Sequence, residues 1–228
     1  MKHNLLLFSL AFGLWMIASC KKENTDIPDP TENEDSIDIG AYALLESSRN
    51  AVPYKGKSSV TFVDSAGNEL IFPITVFANK TLEGCLYKYD VHQQGDTVKY
   101  CYKTEYDSYG LVNNANNLYF QIMLEAKPFY SDPESRKVAD VLHVSIRDAT
   151  ETGKYHQVYY QTIALRSFPL LYDDNTTFAQ LTFWGRDFSN VSKTNFAIPY
   201  RLVFYNQEFG IVAFTDHNGK LWRFKEMF

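Results

Sequence analysis

From about Ser58 to the C-terminus, apolar residues recur at every second position in short runs, and each run ends in a cluster of turn-forming residues. Val60 and Phe62, then Leu70 and Phe72, flank Asp64-Ser65-Ala66-Gly67 with that period, which puts one face of each run on a core and the other on water. Leu118 to Leu124, Val138 to Ile146, Tyr155 to Leu165, Phe178 to Trp184, Tyr200 to Tyr205, Ile211 to Phe214 and Leu221 to Phe224 continue the series. Between them stand Tyr109-Gly110, Asn113 to Asn117, Ser131-Asp132-Pro133 and Asp173-Asp174-Asn175. β-Branched and aromatic side chains fill the runs, and no convincing stripe of helical period interrupts them. The pattern predicts one all-β domain over residues 46–228, an antiparallel β-sandwich or partly open barrel of about ten short strands.

Two predicted hairpins near opposite ends of this region are alike. Phe62-Val63-Asp64-Ser65-Ala66-Gly67 and Phe214-Thr215-Asp216-His217-Asn218-Gly219 share Phe, Asp and Gly at the same spacing, each followed by a Leu and a Phe. Asp opens a type I turn, and Gly supplies the positive φ that returns the chain to its partner strand. No period repeats between them, so shared turn chemistry explains the likeness better than duplication.

The N-terminal part follows another pattern. Met1, Lys2 and His3 make a weakly basic start, and an uncharged apolar run from Leu5 to Ile17 ends before Lys21-Lys22-Glu23. A membrane-spanning helix needs about 20 apolar residues, so residues 1–19 read as a cleaved signal peptide. From Lys21 to about Asp38 the chain is acidic and carries Pro28 and Pro30. Self-repulsion and proline predict an extended, disordered stalk, taken here as residues 20–45, with Ala41 to Leu45 opening a short helix.

Acidic residues outnumber basic ones, 27 to 22, and no Lys/Arg-rich stripe is present, which excludes a nucleic-acid binder. Cys85 and Cys101 are the right number for one disulfide in an exported chain. Gln93-Gln94-Gly95-Asp96 lies midway between them and signals a hairpin. Alternation argues the other way: Tyr87, Tyr89 and Val91 share the face of Cys85, whereas Val98, Tyr100, Tyr102 and Tyr106 lie opposite that of Cys101. A β-bulge would reconcile the two patterns, and the bond stays open at this point.

The chain carries few of the patterns that chemistry requires. His92, His143, His156 and His217 show no metal-ligand spacing, there is no Cys-x-x-Cys, and neither a Gly-x-Ser-x-Gly elbow nor a glycine-rich phosphate loop occurs. His217 reads as a turn residue, and His143 and His156 as strand residues with local hydrogen bonds. No metal site and no cofactor is expected. Aromatic side chains are the residual signal: Tyr100, Tyr102, Tyr159 and Trp184 are the candidates for a ligand-binding surface, since flat rings with a polar edge suit sugars and peptides. Their competing role is to line the core with hydroxyls at its rim.

Ile17-Ala18-Ser19-Cys20 resembles the bacterial lipobox, which implies cleavage before Cys20 and acylation of its thiol. An ordinary signal peptide with a chance cysteine is the competing reading. With the acidic stalk, the opening hairpin and the closing stretch from Tyr205 to Phe224, the chain is similar to uncharacterised lipoproteins of the Bacteroidota. The resemblance implies an outer-membrane lipoprotein, on the periplasmic face or the cell surface, and supplies no activity. Ser36, Ser65 and Thr97, each preceded by Asp, match that phylum's short O-glycosylation pattern, although turn formation accounts equally well for Ser65 and Thr97. The expected function is a non-catalytic binding or assembly module for glycan, peptide or an envelope protein. The alternatives are an envelope glycan hydrolase using carboxylates from different strands, and a purely structural subunit of an envelope complex. Several acyl chains on one cysteine hold a protein on lipid almost permanently. A Cys20→Ala variant is therefore expected in the soluble fraction on membrane fractionation, and its retention on membranes would refute the anchor.

Overall fold

The computed structural model describes residues 36–89, 97–128, 133, 137–148, 156–165, 175–194 and 202–228, the side chains of most of 156–165 excepted. In chain order its elements are β1 (Ser36–Tyr42), the one-turn helix α1 (Glu46–Arg49), β2 (Ser59–Val63), β3 (Glu69–Tyr89), β4 (Thr97–Asn113) and β5 (Leu118–Pro128). There follow β6 (Val138–Asp148), β7 (His156–Leu165), β8 (Asn175–Phe183), β9 (Arg186–Thr194), β10 (Val203–Asn206), β11 (Gly210–Thr215) and β12 (Leu221–Met227). The chain is all-β, as its alternation predicts. Eleven strands form one hydrogen-bonded path, β7-β6-β5-β4-β3-β2-β12-β11-β10-β9-β8, which has two ends and so is not closed into a barrel.

Every pairing along that path is antiparallel, and β1 adds a parallel pairing with β4. The strands are less uniform than the turn signals imply: β3 has 21 residues and β4 has 17. The length of β3 organises the fold. Its first residues, Glu69 to Pro73, pair with β2, and from Ile74 onward it pairs with β4 instead. Pro73, which has no N–H to give, stands where the partner changes, and strands that switch partners in this way make the corners of β-sandwiches.

Across that corner two faces meet. In β5, Leu118, Phe120, Ile122, Leu124 and Ala126 all point inward and are buried. From the other half come Phe62, Phe214 and Phe224. The Phe120 ring lies 4.8 Å from that of Phe214, and Phe72 at the corner lies 5.6 Å from Phe62 and 5.7 Å from Phe120, all edge-on. Such contacts add about 0.5–1.5 kcal/mol per pair beyond the area they bury.

The two similar hairpins have the same geometry. Asp64 Oδ1 accepts the N–H of Ala66 (2.9 Å) and Asn68 (2.8 Å), and Asp216 Oδ1 accepts those of Asn218 (2.9 Å) and Lys220 (3.0 Å). Gly67 and Gly219 take φ of 86° and 73°. Because β2 and β12 are neighbours, the turns also meet, and Lys220 pairs with the Asp64 carboxylate. Hydrogen bonds from Lys220, Asn68 and Ala66 hold that carboxyl well below the usual range.

The stalk as drawn to residue 45 is corrected by β1: Ser36 to Tyr42 pair with Lys99 to Thr104. Pairing with an open strand outweighs the local preference of Ser36-Ile37-Asp38 for solvent. The helix begins later than expected, at Glu46. The chain from Leu44 to Tyr54 closes one end of the core, burying Leu44, Val52 and Tyr54. Arg49 joins Asp107 and Glu105 there (2.6 Å to Glu105), and these carboxylates more than offset the effect of burial, raising the Arg49 pKa.

Cys85 and Cys101 stand directly opposite each other and form a disulfide. Alternation of tyrosines does not mark the core here, because Tyr87 is on the outward face of β3, 48% exposed, beneath the Lys99 ammonium. The buried face of this ribbon is marked by Leu86 and Tyr100, with Ile39 of β1.

Tyr54 is fully buried, its hydroxyl accepts the Ile211 N–H at 2.8 Å, and burial raises its pKa above the usual phenol range. Gly210, at φ 76°, leaves room for it; a Cβ there would collide with the Tyr54 ring and hydroxyl. Urea titration should find Tyr54→Phe destabilised by about 1–3 kcal/mol through the orphaned N–H. Gly210→Ala should cost at least as much, since backbone strain adds to overpacking. An unchanged midpoint for both would contradict this packing.

Candidate functional site

Two cavities lie on either side of Glu208. The larger, of about 430 Å³, opens between β9 and β10 and is lined by Thr177, Ser189, Asn190 and Ser192, then Tyr205 to Glu208. Its origin is a short ladder: among the described residues β10 pairs with β9 only at Phe204↔Lys193 and Tyr205↔Ser192. Beyond those pairs a side chain takes over, and Asn206 Nδ2 donates to the Ser189 carbonyl at 3.1 Å. Asn206 Oδ1 accepts the Phe209 N–H at 2.8 Å, which shapes the turn carrying Gln207 and Glu208. Asn190 adopts a φ of 51°, a conformation asparagine tolerates better than most residues. The Thr177 and Ser192 hydroxyls lie 3.3 Å apart, and Tyr205 gives its own hydroxyl to the Ala51 carbonyl at 2.8 Å. Amides and hydroxyls therefore dominate the wall, with Glu208 as the one carboxylate among its described residues.

The smaller cavity, of about 350 Å³, has an apolar side made by Pro53, Phe209, Phe224 and Met227. Its polar side carries Lys57, Arg186, Glu208, Lys225 and Glu226.

A third polar cluster lies on the outward face of β5 and β6. Glu125 and His143 are both buried, with Nε2 at 2.9 Å from Oε1, and Lys127 Nζ is 3.2 Å from the same oxygen. Burial alone would raise the Glu125 pKa, but His143 and then Lys127 outweigh it and hold it below the ordinary value. Burial, reinforced by Glu125, raises the Tyr102 phenol. Neither cavity includes this cluster, which reads as a buried, hydrogen-bonded carboxylate. Among the described residues, no three His, Cys, Asp or Glu side chains are grouped to hold a metal ion.

The aromatic candidates do not make one surface: Tyr100 and Tyr102 belong to one small cluster with Ile39 and Leu86, and Trp184 stands apart from it. Tyr100 is 4% exposed, a core residue, which removes it as a contact for ligand. Tyr102 is half-buried, its ring lying where a Cβ on Gly84 would be. Trp184 is at the opposite half of the sheet, 39% exposed, in a two-residue turn with Gly185 where both φ are positive (47° and 75°). The side chain of Tyr159 lies outside the described residues, as does that of Thr97. Ser36 and Ser65 are both exposed, while Cys20 lies outside the described residues. Sequence reasoning missed Ser189, Asn190, Asn206 and Gln207, which bear no motif; the one signal that could have found them is the Asn-Gln-Glu run before Phe209-Gly210, a composition that favours a turn.

An all-β protein with paired cavities at a ladder break is the class these features define. Compared with family models, with curated proteins and with solved structures, the chain matches none.

Because the folded pKa of Glu125 lies below its unfolded value, the pair stabilises the fold above the ordinary glutamate range and that stabilisation is lost as pH falls through the depressed value. The denaturation midpoint should fall with acidification below pH about 4–5. Glu125→Gln should flatten part of that slope, and an identical slope in the variant would remove the pair as its cause.

Proposed function

We propose that the chain is a lipid-anchored, non-catalytic binding module of a bacterial outer membrane, and that it holds a glycan at the cavities beside Glu208. The larger cavity carries the reading: its wall of Ser, Thr, Asn and Gln groups offers both donors and acceptors, as a polyhydroxyl ligand requires. The Cys85–Cys101 bond supports an oxidising compartment, which an exported lipoprotein would occupy. The lipobox at Cys20 supports attachment to the envelope.

A second reading keeps some support from the smaller cavity, where Glu208 and Glu226 both stand on the wall. A glycoside hydrolase needs two carboxylates about 5–9.5 Å apart. Glu226 is paired with Lys225 at 3.1 Å, which favours a structural role for it.

Calorimetric titration of the mature protein with a panel of neutral oligosaccharides and with peptides tests the proposal. At least one saccharide should bind, and Gln207→Ala and Ser189→Ala should each weaken it by roughly two- to twelvefold, the worth of one hydrogen bond of about 0.5–1.5 kcal/mol, at unchanged thermal stability. Binding of peptide alone would overturn it, and release of shortened sugar that stops in Glu208→Gln would establish the hydrolase.

A further inference from the structure

Arg186 opens β9 directly after the Trp184–Gly185 turn, and three aromatic rings hold its guanidinium. The centroids of Phe224, Phe188 and Phe209 lie 4.9, 5.2 and 5.3 Å from its central carbon. Nη1 donates to the main-chain carbonyls of Lys225 and, at 3.4 Å, Phe224. Those carbonyls are open to a side chain because the register between β12 and β2 slips between Phe224 and Glu226. The position of the fork is thus fixed before any ligand arrives, so binding costs it little rotamer entropy.

The donors at Nε and Nη2 have no partner among the described residues, and neither is among the buried polar atoms left unbonded. Arg186 lines the smaller cavity and forms no ion pair with a described carboxylate. Burial and the nearby Arg223 charge both depress its pKa, with Glu208 acting the other way. An anion at the free edge would relieve that stress. Lys57 adds a second cation to the wall, while Lys225 is spent on Glu69 (2.7 Å) and Glu226. A planar fork with two adjacent free donors matches a carboxylate better than a single-point anion.

We infer that the smaller cavity is a subsite for an acidic sugar, whose carboxylate sits on the free edge of Arg186 and whose ring packs on Phe209 and Met227. Glu208, common to both cavities, then stands between this residue and a neutral sugar in the larger one. The single carboxylate of a uronic acid tolerates that neighbour; a densely charged sulfated or phosphorylated chain would be repelled by it. This inference rests on the glycan reading and specifies its ligand.

The test is titration of the mature protein with an oligogalacturonate and with its fully methyl-esterified counterpart. The acid should bind at least about tenfold more tightly, a ratio that corresponds to roughly 1.4 kcal/mol. Arg186→Gln should erase the ratio. Because Arg186 also ties β9 to β12, Lys57→Gln at an exposed position is the second variant, and it should lower the ratio by a smaller factor. Equal binding of acid and ester would overturn the subsite and leave the glycan reading standing. A preference for the acid that persists in both variants would also overturn it, by placing the carboxylate elsewhere. If neither saccharide binds, the subsite fails, and the glycan reading is then decided by the neutral panel alone.

Discussion

The contact between Phe120 of β5 and Phe214 of β11 is the one on which the rest of the structure depends. The two strands are far apart along a single hydrogen-bonded sheet, and only by folding that sheet over itself can it bury one face without a second layer of helices. The bend falls in β3, where Phe72 touches Phe62, Phe120 and Phe214 together. Truncating a ring in such a position typically costs about 3–5 kcal/mol. The corner and the aromatic cluster are therefore one device: the change of partner at Pro73 brings the halves face to face, and the rings make that arrangement favourable.

A folded sheet leaves open ends, and polar groups close one of them. Tyr54 meets the Ile211 N–H, Tyr205 meets the Ala51 carbonyl, and Arg49 gathers Glu105 and Asp107, while Leu44 and Leu45 give their N–H groups to Glu105 and Asp140. Each satisfies a group that burial would otherwise penalise by about 1–3 kcal/mol. These bonds join residues distant in sequence, so they register the segment before β2 against both halves. Asp107 does more, because its second oxygen takes the Asn79 N–H at 2.7 Å and so fastens the bulge of β3 as well.

The fold class was legible because period two depends on neighbours alone. Val60, Phe62, Leu70, Phe72 and the run from Leu118 to Leu124 face inward as their alternation implies. The paired Asp and Gly turns were legible for the same reason, since their hydrogen bonds close within five residues. What alternation cannot supply is which face is covered. Tyr87 and Tyr100 are both tyrosines on apolar-looking strands, yet one lies under a lysine and the other in the core, and the disulfide argument turned on that difference. β1 was invisible in sequence because its strand is made by its partner, and Glu125 and His143 meet only through strand register.

The cavities follow from the same logic of unfinished pairing. β9 and β10 share two residue pairs and then part, and β12 slips against β2 by one residue. A sheet that loses ladder bonds must satisfy the freed groups from somewhere. At the first break Asn206 reaches the Ser189 carbonyl; at the second Arg186 reaches those of Phe224 and Lys225. A side chain that replaces a strand fills less space than the strand would, and the space left over is the concavity. The residues that repair the ladder therefore also border the cavities, with part of their hydrogen-bonding capacity unspent, and concave, partly polar surface arises on this domain where backbone pairing gives way to side chains.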